Sequence, residues 1–169
     1  MPHTLASFAA QVRQILQQQD NPAGRDRVAA LLRDALKDRA FVESLFDAAS
    51  PERKVLYEDP QLGFCILAHR YAEAKNSPPH SHEMSWAIYG QADGETVMTD
   101  WLLVEAASPD KPGKVKKLRE YTLTPGLAHV YNEGDLHAPS RAGPTRLIRI
   151  EGTNLERVVR LRYEAVAAA

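Results

Sequence analysis

Pro79-His80-Ser81-His82 sets two imidazoles one residue apart, and Gly134-Asp135-Leu136-His137 supplies a third further along the chain. Residues i and i+2 of a strand face the same way. The spacing predicts that His80 and His82 aim at one point inside a barrel, with His137 arriving from a later strand. Three neutral imidazoles with open coordination positions make a divalent-metal site with room for substrate or dioxygen. A lone His-x-His carries little weight. The prolines before it, the strand-like run after it and the downstream Gly-x-x-His give it more.

Around these motifs, from about Lys54 onward, the chain divides into short strand-like runs. The pattern predicts strands near 54–58, 64–71, 84–90, 96–104, 117–123, 128–132, 145–151 and 157–163. Turn residues separate them: Asp59-Pro60, Asn76-Ser77-Pro78-Pro79, Ala92-Asp93-Gly94, Pro109 to Gly113, Thr124-Pro125-Gly126 and Gly143-Pro144. About eight short strands predict a two-sheet or closed β architecture, a jelly roll. Upstream, Phe8, Val12, Ile15 and Leu16 recur at helical spacing. After a break at Asn21-Pro22-Ala23-Gly24, Val28, Leu31, Leu32 and Leu36 repeat the pattern, with Asp26 as the N-terminal charge. A third helix is expected over 40–48, ending near Ser50-Pro51. Residues 1–50 thus read as a helical segment packed on the outside of a β-barrel formed by 51–169.

The 169 residues suit one domain with a core of its own. Lys and Arg number 21 against 22 Asp and Glu, so no global field favours nucleic acid or an anionic membrane. The basic stretch Lys111, Lys114, Lys116, Lys117, Arg119 reads as a solvated strand edge beside Pro112-Gly113. Cys65, the sole cysteine, lies in an apolar run and reads as a core thiol; it allows no intrachain disulfide and no thiolate cluster. The opening Met-Pro-His-Thr lacks a basic-then-apolar signal pattern, and no apolar run approaches bilayer length. The expectation is a soluble, cytoplasmic protein, monomeric or homodimeric, whose partners are a small-molecule substrate and dioxygen.

The histidine motifs and their surroundings resemble the cupin superfamily, whose first motif holds His-x-His before a strand and a glycine and whose second holds Gly-x-x-His. The resemblance implies a double-stranded β-helix. The usual cupin glutamate, four or five residues after the second histidine, is absent: Trp86 and Ala87 occupy those positions, and Glu83 adjoins His82. Within the superfamily the chain looks like the cysteine-dioxygenase-like (thiol dioxygenase) proteins, which hold Fe(II) with three histidines. The likeness takes in Leu62-Gly63-Phe64, Pro79-His80-Ser81-His82, the run Gly94 to Trp101, and Gly134-Asp135-Leu136-His137, across most of residues 25–152. It implies that His80, His82 and His137 hold Fe(II); Ni, Zn, Mn or Cu are the alternatives. It implies non-haem dioxygenation of a small anionic substrate, a thiol among the candidates. Two rival readings stay open: a non-oxidative metal enzyme (hydrolase, isomerase or lyase) and a metal-containing binding protein.

The chain departs from that family on a late strand. Where thiol dioxygenases place Ser-x-His-x-Tyr, this sequence reads Leu147-Ile148-Arg149-Ile150-Glu151, and Ala87 stands where some members carry a crosslinking cysteine. Arg149 and Glu151 share a face, so they either bridge one another or meet substrate; Arg149 suits a carboxylate, and Glu151 is a base or the anchor of Arg149. The alternative is a flipped strand with Arg146 inward. The family's carboxylate-binding arginine falls at Lys54, or at Arg53 with a one-residue slip. His69 and Tyr71 share a face toward the cavity, His69 as an outer donor or a structural histidine. Tyr89 offers a phenol or simply packs. Trp86 and Trp101 read as core or mouth aromatics, His129 as an alternative ligand, and His3 as a terminal residue without a specific role.

Overall fold

Four antiparallel strand pairs, nested one inside the next, organise the computed structural model, which describes residues 3–167. The strands are β1 (Arg53–Glu58), β2 (Cys65–Tyr71), β3 (Lys75–Asn76), β4 (Ala87–Asp93), β5 (Thr96–Glu105), β6 (Gly113–Leu123), β7 (Ala128–Tyr131), β8 (His137–Arg141), β9 (Thr145–Glu151) and β10 (Tyr163–Ala165). β5 pairs with β6, β4 with β7, β3 with β8 and β2 with β9. This nesting is the double-stranded β-helix. It yields two five-stranded sheets, ordered β1-β2-β9-β4-β7 and β10-β6-β5-β8-β3. The chain is a mainly β jelly roll with helices at its N-terminal side, as the turn-punctuated pattern predicts.

Three helices, α1 (Leu5–Gln18), α2 (Pro22–Ala35) and α3 (Arg39–Ser44), cover the outer face of the first sheet. Thr4, Asn21 and Asp38 cap them by accepting from Ser7, Gly24 and Phe41 amides. Phe8, Val12, Leu16, Val28 and Leu32 are buried against Ile66, Ile88, Ile148 and Ile150. The strand residues between those isoleucines face the barrel interior, so β9 is buried on both sides. Gly90 permits the close approach of α2, since a Cβ there would stand 2.6 Å from Leu32 Cδ2. None of these helices is long and apolar enough to cross a membrane.

Several boundaries differ from expectation. α2 starts at Pro22, inside the supposed break, because Asn21 and Pro22 form a cap and first turn; Asp26 lies beyond that turn. α3 is shorter than 40–48. The strand expected at 84–90 begins at Ala87 and runs to Asp93, after a turn in which the Ser85 amide donates to the His82 carbonyl at 3.0 Å. Of residues 157–163, where a strand was expected, only Tyr163 lies in one. Asn154 caps a 3₁₀ turn at Leu155–Arg157, and pairing resumes only at β10. β3 was not expected; the later strand expected to bring His137 is β8, whose bounds could not be read because Pro139 weakens its strand signature. The basic stretch is laced with ion pairs: Lys111–Glu105, Lys114–Glu164, Lys117–Glu120 and Arg119–Asp100.

Asp59, in the turn between β1 and β2, ties α1 to the barrel. Its buried carboxylate accepts from Arg13 Nε at 2.6 Å and from the Leu62 and Gln61 amides at 2.8 and 2.9 Å. Burial alone would raise its pKa, but these donors hold it at about 2. A depressed carboxyl pKa stabilises the fold above its unfolded value and loses that contribution as pH falls toward 2. The gap is worth about 2 kcal/mol. Asp59→Asn is therefore expected to melt about 4–8 °C below wild type at pH 7. In melts recorded from pH 7 to 2, that difference should close below pH 4; a constant offset would contradict the assignment.

Candidate metal centre

The first histidine motif lies on a loop, and backbone pairing with the second motif places it. The His80 amide donates to the His137 carbonyl at 3.0 Å, and the His137 amide returns to His80 at 2.9 Å. Beyond His82 the chain turns through Glu83 in the left-handed region, φ 55°. The Gly134 amide, in a turn where glycine itself has φ 75°, donates to the Glu83 carbonyl at 3.2 Å. The convergence read from strand alternation is present, but its cause is this turn and bridge. Glu83 points its carboxylate to the Leu161 amide at 3.0 Å, away from the histidines.

One ligand-capable atom from each of His80, His82 and His137 lies within 4.8 Å of the others. His80 Nδ1 lies 2.9 Å from the Pro78 carbonyl, and His137 Nδ1 lies 2.9 Å from the Asp135 carbonyl. A carbonyl only accepts, so each Nδ1 carries the proton and each Nε2 keeps a bare lone pair. Burial lowers all three pKa values, His80 to about 4 and the other two well below the usual histidine range. The imidazoles are neutral at pH 7, as metal ligation requires. The buried His82 Nδ1 finds no hydrogen-bond partner. The donor set and the tautomers fixed at His80 and His137 fit a divalent transition metal.

Two tyrosines brace the cluster. The Tyr89 hydroxyl lies 3.3 Å from His82 Nε2 and 3.2 Å from His137 Nε2, so this phenol touches the site rather than merely packing. Burial raises its pKa and keeps it protonated. The Tyr131 ring stacks on His137, centroids 3.9 Å apart and 20° from parallel. The helical segment contributes through Arg25. This buried guanidinium grips Glu133 by two 2.6 Å bonds, reaches Asn132 at 2.9 Å and covers Trp86. It thereby joins the end of the first motif's loop to the turn before the second. Neither Tyr131 nor Arg25 was singled out from sequence.

Arg149 and Glu151 both face the interior, so the strand is not flipped; Arg146 lies on the other side, with Glu43 and Asp93. Arg149 Nη2 contacts Glu151 Oε1 at 3.0 Å with poor hydrogen-bond alignment, and its guanidinium lies 4.4 Å from the Tyr89 ring centre. Glu151 Oε2 accepts from Arg53 at 2.8 Å and from the Leu155 amide at 3.1 Å. Both Ala87 and Cys65 sit opposite Glu151 in register, and the Cys65 thiol is pushed up to about 11 by burial.

Lys54 is displaced from the site. Opposite Ala68 in the ladder, it faces outward and binds Asp47, whereas Arg53 stands opposite His69 on the interior face. Alternation thus selects Arg53, the slipped alternative. His69 is buried, its Nδ1 3.0 Å from the Tyr71 hydroxyl and its Nε2 unpartnered. His129 lies between Tyr121 and Tyr131 outside the cluster. Trp86 is buried in the helix-covered core, and Trp101 is half-buried. His3 packs on Phe41.

A cavity of ≈ 550 Å³ opens beside His80 and Tyr89. Arg141, Arg149, Arg160 and Arg162 line it, and residues 160–164 form one wall.

Solved structures similar to this chain include cupin superfamily proteins. One is a cupin superfamily protein from Desulfitobacterium hafniense DCB-2, with 14% identity over 66% of this chain and 86% of that one, TM-score 0.45. KdgF from Halomonas sp. shares 17% identity over 62% and 83%, TM-score 0.43. A cupin-2 domain containing protein from Shewanella frigidimarina shares 16% over 64% and 86%, TM-score 0.43. No protein-family model and no curated protein matches the chain.

Proposed function

We propose that this chain is a mononuclear three-His cupin enzyme that uses Fe(II) to add dioxygen to a small anionic substrate, a thiol among the candidates. The observation that carries the reading is the meeting of three neutral imidazoles at the edge of an arginine-lined cavity. His80, His82 and His137 would hold the metal. Bound there, it supplies Lewis acidity and, as Fe(II), a redox partner for dioxygen.

The surrounding residues bind and orient. Three neutral donors leave the metal's charge uncompensated, which favours an anionic ligand. Arg149 presents a guanidinium beside Tyr89 and aligns a negative group of the substrate. Glu151 has one oxygen engaged by Arg53 and the Leu155 amide and the other facing Arg149, so it serves as the anchor of Arg149. Tyr89 holds a proton next to two ligand nitrogens and can lend it to a developing charge.

That same phenol favours a second reading, a non-oxidative metal enzyme in which Tyr89 carries the proton. Oxygen-electrode traces of Fe(II)-loaded protein with a panel of small anionic thiols separate the two. The dioxygenase reading expects uptake matched to substrate loss. No uptake with any candidate, together with turnover by the Zn(II)-loaded protein, would leave only the second reading.

A further inference from the structure

The cavity beside the histidines carries more positive charge than the protein neutralises. Arg141 follows His137 by four residues on β8 and shares its inward face. At a strand rise of about 3.3 Å, the two α-carbons are about 13 Å apart. Arg141 is 3% exposed, and its guanidinium lies 4.2 Å from the centre of the Tyr71 ring. Its Nε has no hydrogen-bond partner, and it forms no ion pair among the described residues. Arg160 and Arg162, both exposed, line the same cavity from the 160–164 segment, also without an ion pair among the described residues. Arg149, the fourth, has an unpartnered Nε, and the carboxylate it touches already serves Arg53. Glu164, the acidic residue of the lining, is bound to Lys114.

Burying a guanidinium without a carboxylate is costly, and an aromatic face offsets only part of that cost. The two buried arginines sit over different rings, Arg149 over the one whose hydroxyl meets the histidines and Arg141 over Tyr71. Each guanidinium therefore has its own edge to offer a carboxylate.

We propose that the site selects a small dicarboxylate, with Arg149 holding the carboxylate nearer the histidines and Arg141, helped by Arg160, the farther one. This assignment rests on the metal-enzyme reading for the reaction that follows, but its binding step is readable without turnover. The volume of ≈ 550 Å³ accommodates a molecule of that size. The farther carboxylate would receive charge-assisted bonds from the guanidinium edge, leaving the ring face on Tyr71 undisturbed.

Isothermal titration of the full chain with succinate, and with butyrate as the singly charged match, tests the assignment. Wild type should bind succinate at least about tenfold more tightly. Arg141→Met should bring the two affinities together while leaving butyrate binding unchanged. Arg160→Ala alters an exposed side chain, so it keeps the test open if Arg141→Met fails to fold; it should weaken succinate alone. Equal affinities in wild type, or undiminished preference in Arg160→Ala and in a folded Arg141→Met, would overturn the proposal. Elemental analysis of the same samples keeps the two ideas apart. Succinate preference without metal binding sinks the metal reading, and a metal-replete protein indifferent to the second carboxylate sinks only this one.

Discussion

His137→Ala is expected to emerge from purification with essentially no transition metal, and the wild-type chain with about one ion. Loss of a group that merely orients a ligand already costs about 10–100-fold in metal affinity, and His137 is itself a ligand in this reading. The substitution also removes a ring stacked on Tyr131, so some stability will go with it. His80→Ala is the cleaner companion, because its side chain is only half-buried and its backbone bridge to His137 needs no imidazole. Both variants should bind metal at least about 100-fold more weakly in competition with a chelator. Full metal occupancy in both after dialysis would remove the three-His site from consideration.

Arg149→Met carries the largest expected stability effect. It leaves Glu151, 1% exposed, with Arg53 as its sole cationic partner among the described residues. Removing one partner of a buried ion pair costs about 3–5 kcal/mol when nothing else compensates. The bonds from Arg53 and Leu155 remain, so the lower end applies, a fall of about 6–12 °C in melting temperature. Arg149→Met combined with Glu151→Gln should recover most of that loss, since an amide oxygen still accepts from Arg53 and Leu155 without a buried charge. Thermal melts of the three proteins decide it. Equal stability of Arg149→Met and wild type would mean that Glu151 does not depend on the pair.

The architecture was legible because most strands advertise themselves by apolar runs between turn residues. The histidine trio was legible because chemistry limits which side chains gather in threes. The manner of their gathering was not. A left-handed Glu83 and a two-way amide bridge between His80 and His137 depend on segments far apart in sequence, and alternation along one strand cannot see them. β8 was hidden by Pro139. Once that strand is recognised, the alternation His137, Pro139, Arg141 picks out Arg141 at once. The same rule decides between Arg53 and Lys54, given only that Arg53 sits opposite His69. Arg25 had no such signal: an arginine in a helix is ordinarily solvated, and only the tertiary contact with Glu133 and Trp86 gives it a task.

The segment from Arg160 to Glu164 walls the cavity yet supplies none of the three histidines. It is held by the Leu161–Glu83 bond and by three residues of parallel pairing to β6. In the proposed reading this one wall of the cavity is therefore separate in sequence from the histidines, whereas Arg141 shares β8 with His137. Exchange of side chains along residues 160–164 would reshape that wall and leave the histidine-bearing loop and strand as they are.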